Sequence, residues 1–199
     1  DNIAVINEKV EVKKNQNIHF KGSDKLKGDL IIRIGQKVGT PEIGIISSVG
    51  KAYVKVQKSP SIAIVSTGNE LVEVADPILP HQIRRSNIYA VEACLKSNGF
   101  SQISLHHFTD DDENIKSKLP NILESHDVII LSGGVSMGKF DLIPSSLTAC
   151  GVEEKFHMIK QKPGKPFWYG TNDKKFVYAL PGNPVSTLLC LVRYVIPHL

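Results

Sequence analysis

Cysteine, charge of one sign and long apolar runs are all scarce in this sequence, and each scarcity excludes something. Only three cysteines occur in 199 residues, Cys94, Cys150 and Cys190. They stand far apart in apolar surroundings, so neither a metal-ligand spacing nor a disulfide framework can be drawn from them. They read as small buried hydrophobes in a reducing compartment. The formal net charge is only +4, with Lys and Arg scattered along the chain. That argues against a nucleic-acid groove and leaves a weak preference for small anionic ligands. The longest uncharged run, Phe176 to Val192, contains Pro181, Gly182, Asn183 and Pro184, which rules out a continuous membrane span. No charged-then-apolar leader follows Asp1. A soluble, cytoplasmic protein is expected, and the abrupt start and the end at Pro197-His198-Leu199 read as a piece of a longer chain.

What is present has the balance of an ordinary globular protein, 41% hydrophobic and 22% charged, long enough for one well-cored domain plus a smaller piece. Residues 1–58 carry short alternating runs, Lys9-Val10-Glu11-Val12-Lys13 and Ala52-Tyr53-Val54-Lys55-Val56, separated by turn residues. They read as a partial β-rich neighbouring domain, with a short helix after Pro41. From Ser59-Pro60 the texture changes, and residues 59–199 read as an α/β domain. Ile62–Val65, Ile103–Phe108 and Asp127–Leu131 predict buried strands. Between them fall a helix capped at Ser86 or Asn87 and closed by Gly99, and a helix opened by Asp110-Asp111-Asp112. Strand, helix, strand, helix, strand implies a mostly parallel sheet with helices on both faces, and ligands of such sheets bind beyond the carboxyl ends of the strands.

That edge is where the candidate chemistry falls. Ser66-Thr67-Gly68-Asn69-Glu70-Leu71 follows the first strand, Thr109-Asp110-Asp111 the second, and Ser132-Gly133-Gly134-Val135-Ser136-Met137-Gly138-Lys139-Phe140-Asp141 the third. Glycines permit close backbone approach, and free N–H groups can line a concavity for an oxyanion. Glu70, Asp110 and Asp141 could jointly hold a hard cation such as Mg²⁺. Lys160-Gln161-Lys162-Pro163-Gly164-Lys165 offers a cationic rim, and Asn183-Pro184 a capped helix start that could also take an anion. Each has a plainer reading: Asp110 as a helix-start residue, Glu70 as a solvated charge, the lysines as a hairpin tip, Asn183 as a simple cap. Their expected co-location favours the site.

Gly134-Val135-Ser136-Met137-Gly138 also satisfies the G-x-S-x-G pattern of a serine hydrolase. The context opposes it, because Pro144 falls early in any helix after the serine. His157 sits in a strand-like run, and His198 closes the last helix.

Ser-Thr-Gly-Asn-Glu-Leu at 66–71, Ser-Gly-Gly-Val-Ser-Met-Gly at 132–138, Lys-Pro-Gly-Lys-Pro at 162–166 and Leu-Pro-Gly-Asn-Pro-Val-Ser at 180–186 occur in order. Together they resemble the molybdopterin molybdenumtransferase family, related to the gephyrin E domain. Gly22-Ser23-Asp24-Lys25-Leu26-Lys27-Gly28 is similar to a further family stretch. The resemblance implies a three-layer α/β/α molybdopterin-binding domain in a cytoplasmic homodimer. It implies transfer of molybdenum from molybdate to adenylylated molybdopterin with release of AMP, assisted by Mg²⁺. It places Gly133, Gly134, Ser136 and Gly138 on the pterin phosphate region and Lys162, Gly164 and Lys165 in a basic turn. Pro181, Gly182 and Asn183 would close the pocket, and Glu70, Asp110, Asp141 and Asp24 would be the acidic positions. A gephyrin-like scaffold role is the alternative. Two departures stand out: Asn69 where the family usually has Asp, and Met158 where it often has a cation, for which Lys160 could substitute from the same strand face.

Overall fold

The computed structural model describes residues 3, 5, 11, 13–135, 142–172 and 174–199. The chain forms two compact units, Asp1–Val56 and Gln57–Leu199.

In the first unit the described residues hold one helix, α1 (Thr40–Ser48), entered through Pro41 and a Gly39 N–H that donates to Glu42 Oε2 at 2.9 Å. The rest is turns. The expected β-rich character is absent among these residues. A strand exists only by pairing; Ala52–Val56 has no partner strand, and Tyr53 and Val56 are exposed. Of Lys9–Lys13 only residues 11 and 13 are described.

In the second unit the elements are β1 (Ile62–Thr67), β2 (Leu71–Val72), β3 (Ile83–Arg84), α2 (Ser86–Ser97), β4 (Ile103–Phe108), α3 (Asp112–Ser125), β5 (Val128–Ser132) and α4 (Leu142–Ala149). Then follow β6 (Glu153–His157), β7 (Trp168–Thr171), β8 (Phe176–Leu180), α5 (Pro184–Cys190), a π-type turn and α6 (Ile196–His198). The main sheet runs β4-β1-β5-β8-β7-β6. Its first four strands are parallel, and β7 and β6 are antiparallel.

The central strands are apolar without interruption because both faces are covered. Ala63, Val65, Ile129 and Leu131 pack with Leu119, Ile122 and Leu147 of α3 and α4. Ile62, Ile64, Val128 and Ile130 pack on the other face with Ile88, Val91 and Leu95 of α2 and Cys190 of α5. This is the expected α/β/α arrangement. Gly99 (φ 92°) ends α2 as expected: its N–H donates to Lys96 O and Phe100 N–H to Leu95 O, closing both carbonyls.

The register fixes one edge of the sheet. Chain segments leave β1, β4, β5 and β8 at one end of the sheet. The β6–β7 connection joins them, because Trp168 lies opposite Ala179 near the carboxyl end of β8.

Candidate functional site

At this edge Gly68 N–H donates to Phe108 O (3.2 Å), tying the chain after β1 to β4. Asn69 and Asp110 then clasp each other. Asp110 N–H donates to Asn69 Oδ1 at 3.0 Å, and Asn69 N–H donates to the Asp110 carboxylate at 3.4 Å. Asn69 thus performs a bonding role that an Asp could share only by placing a second carboxylate beside Asp110. Glu70 folds back over Gly68, whose φ of 138° leaves that side free of a Cβ.

From β5 the chain enters Gly133 and Gly134, both at positive φ. A Cβ on Gly133 would stand 2.9 Å from Thr67 Oγ1 and 3.1 Å from Thr67 O. One on Gly134 would meet Ile143 Cγ1 at 2.8 Å. The glycines are therefore required by the neighbouring strand end. Ser136, Gly138 and Asp141 lie outside the described residues.

Asn87 joins the other elements. Its amide donates to Ser132 Oγ (3.0 Å), Gly182 O (2.8 Å) and Thr187 Oγ1 (3.3 Å). That commitment explains why Asn87 is not the cap of α2, which begins after Arg85 without a side-chain cap. Pro181 is buried and its carbonyl accepts from Thr187 Oγ1 at 2.6 Å. Asn183 caps α5 as expected, accepting from Val185 N–H and Ser186 N–H. Its oxygen thereby occupies the N–H groups that could have held an anion there.

The basic turn folds against the end of α5 and the π-type turn that follows it. Cys190 Sγ donates to Gly164 O at 3.7 Å, and Tyr194 Oη donates to Gln161 Oε1 at 2.6 Å. Gly164 (φ 110°) is buried, while Lys162 and Lys165 are exposed. His157 Nε2 lies 3.4 Å from Val135 O and links β6 to the glycine-rich loop. The strand ends at His157 and Met158 has φ 73°, so Lys160 does not continue the β6 face on which it was expected. A left-handed residue breaks the alternation.

A cleft of about 110 Å³ opens among Thr67, Glu70, Arg85, Asn87, Ser132 and Gly133. Thr67 and Arg85 were not singled out by sequence. Thr67 lay inside the Ser66–Leu71 motif without being named as a site residue, whereas Arg85 is brought to the edge as the residue that opens α2. Burial and the Arg85 charge hold His107 below the ordinary histidine range, and its Nδ1 lies 3.0 Å from Ser66 Oγ. Asp24 lies in the first unit, 3.0 Å from His19 Nε2. No three His, Cys, Asp or Glu side chains converge on a metal site among the described residues.

Residues 63–199 match the family described as “Probable molybdopterin binding domain”. The chain belongs to this family. A molybdopterin molybdenumtransferase of Synechocystis sp. is 42% identical over 179 residues, which are 89% of this chain and 46% of that protein. One from Staphylococcus aureus is 32% identical over 92% of this chain and 44% of its own length. The solved molybdopterin biosynthesis MoeA protein of Pyrococcus horikoshii superposes with a TM-score of 0.70 at 32% identity, covering 87% of this chain and 43% of that one. The chain thus spans less than half the length of these relatives. The mostly parallel sheet agrees with that structural likeness. No helix among the described residues is long and apolar enough to cross a membrane.

Proposed function

We propose that this chain is the pterin-binding part of a molybdopterin molybdenumtransferase. It binds adenylylated molybdopterin and molybdate at the carboxyl edge of the sheet and supports molybdenum insertion at the dithiolene with release of AMP. The observation that carries this reading is the convergence on that edge of Thr67–Glu70, Asp110, Ser132–Gly134 and Pro181–Gly182, within a chain of the molybdopterin-binding family. The names of relatives at 42% and 32% identity support it.

In this reading the backbone around Gly133 and Gly134 approaches the ligand closely, which a side chain there would prevent. Lys162 and Lys165 neutralise ligand charge from the β6–β7 turn. Asn87 and Pro181 hold the strand ends in fixed relation, so donors are placed before the ligand arrives. Glu70 and Asp110 offer hard carboxylate donors, and Mg²⁺ takes one or two such groups together with waters and phosphate oxygens. The donor chemistry of Glu70 and Asp110 fits that ion, with Asp141 as a further acidic position on the same chain segment as the glycine-rich loop. When bound, Mg²⁺ supplies polarisation of the phosphoanhydride. The family resemblance also supports a homodimer in the cytoplasm. A hydrolase reading gains nothing from His157, whose Nε2 already faces a backbone carbonyl.

Calorimetric titration of adenylylated molybdopterin into the chain, with and without Mg²⁺, tests the reading. Saturable binding that tightens with Mg²⁺ is expected. No binding under either condition overturns it.

A further inference from the structure

Four buried side-chain atoms have no hydrogen-bond partner among the described residues: Thr67 Oγ1, Arg85 Nε, Asn114 Oδ1 and Ser146 Oγ. Thr67 and Arg85 both line the same cleft. Buried polar atoms are almost always paired, and an arginine Nε–H can only donate. Two orphans on one cavity therefore point to an absent acceptor. Thr67 is 5% exposed and the Arg85 side chain 11%, so bulk water does not readily satisfy them.

The surroundings favour a negative acceptor. The outer nitrogen of Arg85 pairs with Glu73, which also accepts from Tyr89 Oη at 2.9 Å. This anchors the guanidinium and leaves Nε–H unused. Arg84 also lines the cleft, its guanidinium held by the carbonyls of Glu73, Val74 and Asp76. Ser132 Oγ accepts from Asn87 and keeps its own proton to donate. The cleft also meets the uncapped start of α2, a twelve-residue helix, whose first N–H groups and dipole favour an anion. The lining holds two guanidinium groups and the Glu70 carboxylate, with the Glu73 carboxylate paired to Arg85 beside it.

We propose that Thr67 and Arg85 form a hydrogen-bonding seat for a tetrahedral oxyanion in this cleft. The seat rests on the reading of the site as a pterin site and adds residues that the glycine-rich and lysine motifs do not include. An oxyanion matches it because one small group presents several acceptors to converging donors. The ligand is either the phosphate of the pterin nucleotide or free molybdate.

The test uses calorimetry of inorganic phosphate, molybdate and adenylylated molybdopterin with the chain and with Thr67→Val and Arg85→Met. Thr67→Val keeps the side-chain shape and removes a buried orphan, so its melting temperature should be no lower than that of the unsubstituted chain. Thr67→Val is expected to weaken oxyanion binding about tenfold and Arg85→Met more. Phosphate, but not molybdate, competing with the pterin nucleotide assigns the seat to the phosphate ester. Molybdate binding alongside the pterin nucleotide, and weakened by both substitutions, assigns it to free molybdate. Unchanged affinities in both variants overturn the seat and leave the pterin reading standing. Loss of inorganic oxyanion binding in the variants, with no pterin binding by the unsubstituted chain, upholds the seat and overturns the pterin reading.

Discussion

Gly133 and Gly182 both follow strand ends in the sequence, yet the structure asks different things of them. Gly133 has φ 97° and its missing Cβ would press on the backbone oxygen of Thr67, whereas the nearest atom to a Cβ on Gly182 is 3.9 Å away. Gly133→Ala should therefore cost roughly 1–3 kcal/mol through left-handed strain and crowding. Gly182→Ala should stay within about 0.5 kcal/mol. Urea unfolding of the two variants checks the contrast, and equal losses would contradict it. At this scale the motif glycines and acids could be read from sequence because their chemistry is local. Thr67 and Arg85 could not, because an orphaned donor is defined by what fails to surround it in three dimensions. Asn69 shows the same limit: it reads as a replacement for Asp that loses a charge and keeps the hydrogen-bonding shape, and the clasp supplies Asp110 as its partner.

Among the elements, α2 is tied to the sheet edge through Asn87, by bonds to β5, to the segment after β8 and to α5. Asn87→Ala should cost roughly 1–3 kcal/mol, since it leaves partly buried acceptors and hydroxyls unpaired. A thermal melt matching that of the unsubstituted chain would contradict this. The edge strand β4 should make stability pH-dependent. Burial, then the His126 and Lys118 charges, hold His106 below its ordinary value of 6.5; burial and Arg85 do the same to His107. The unfolded chain thus binds protons first as pH falls, so this stability is complete above about pH 6.5 and is lost below it. The urea midpoint should be lower at about pH 5.5 than at about pH 8, and the drop should shrink in a His106→Asn, His107→Asn variant. An undiminished drop would count against the assignment. The parallel strands and the Gly99 and Asn183 caps were legible because uninterrupted apolar runs and caps are written locally. The expected strands of residues 1–58 were not, since alternation supplies a strand's face but not its partner.

For the molecule as a whole, the α/β/α order followed from the alternation of elements, and the shared edge followed from the order. Asp24 belongs to one compact unit and the cleft to the other. In the proposed function the carboxyl edge of the second unit receives the pterin nucleotide. Amide chemical-shift mapping during titration of adenylylated molybdopterin tests it most directly. Perturbations concentrated at Thr67–Glu70, Asp110, Ser132–Gly134 and Pro181–Asn183 are predicted; saturable shifts confined to the opposite end of the sheet, or none at all, would contradict it.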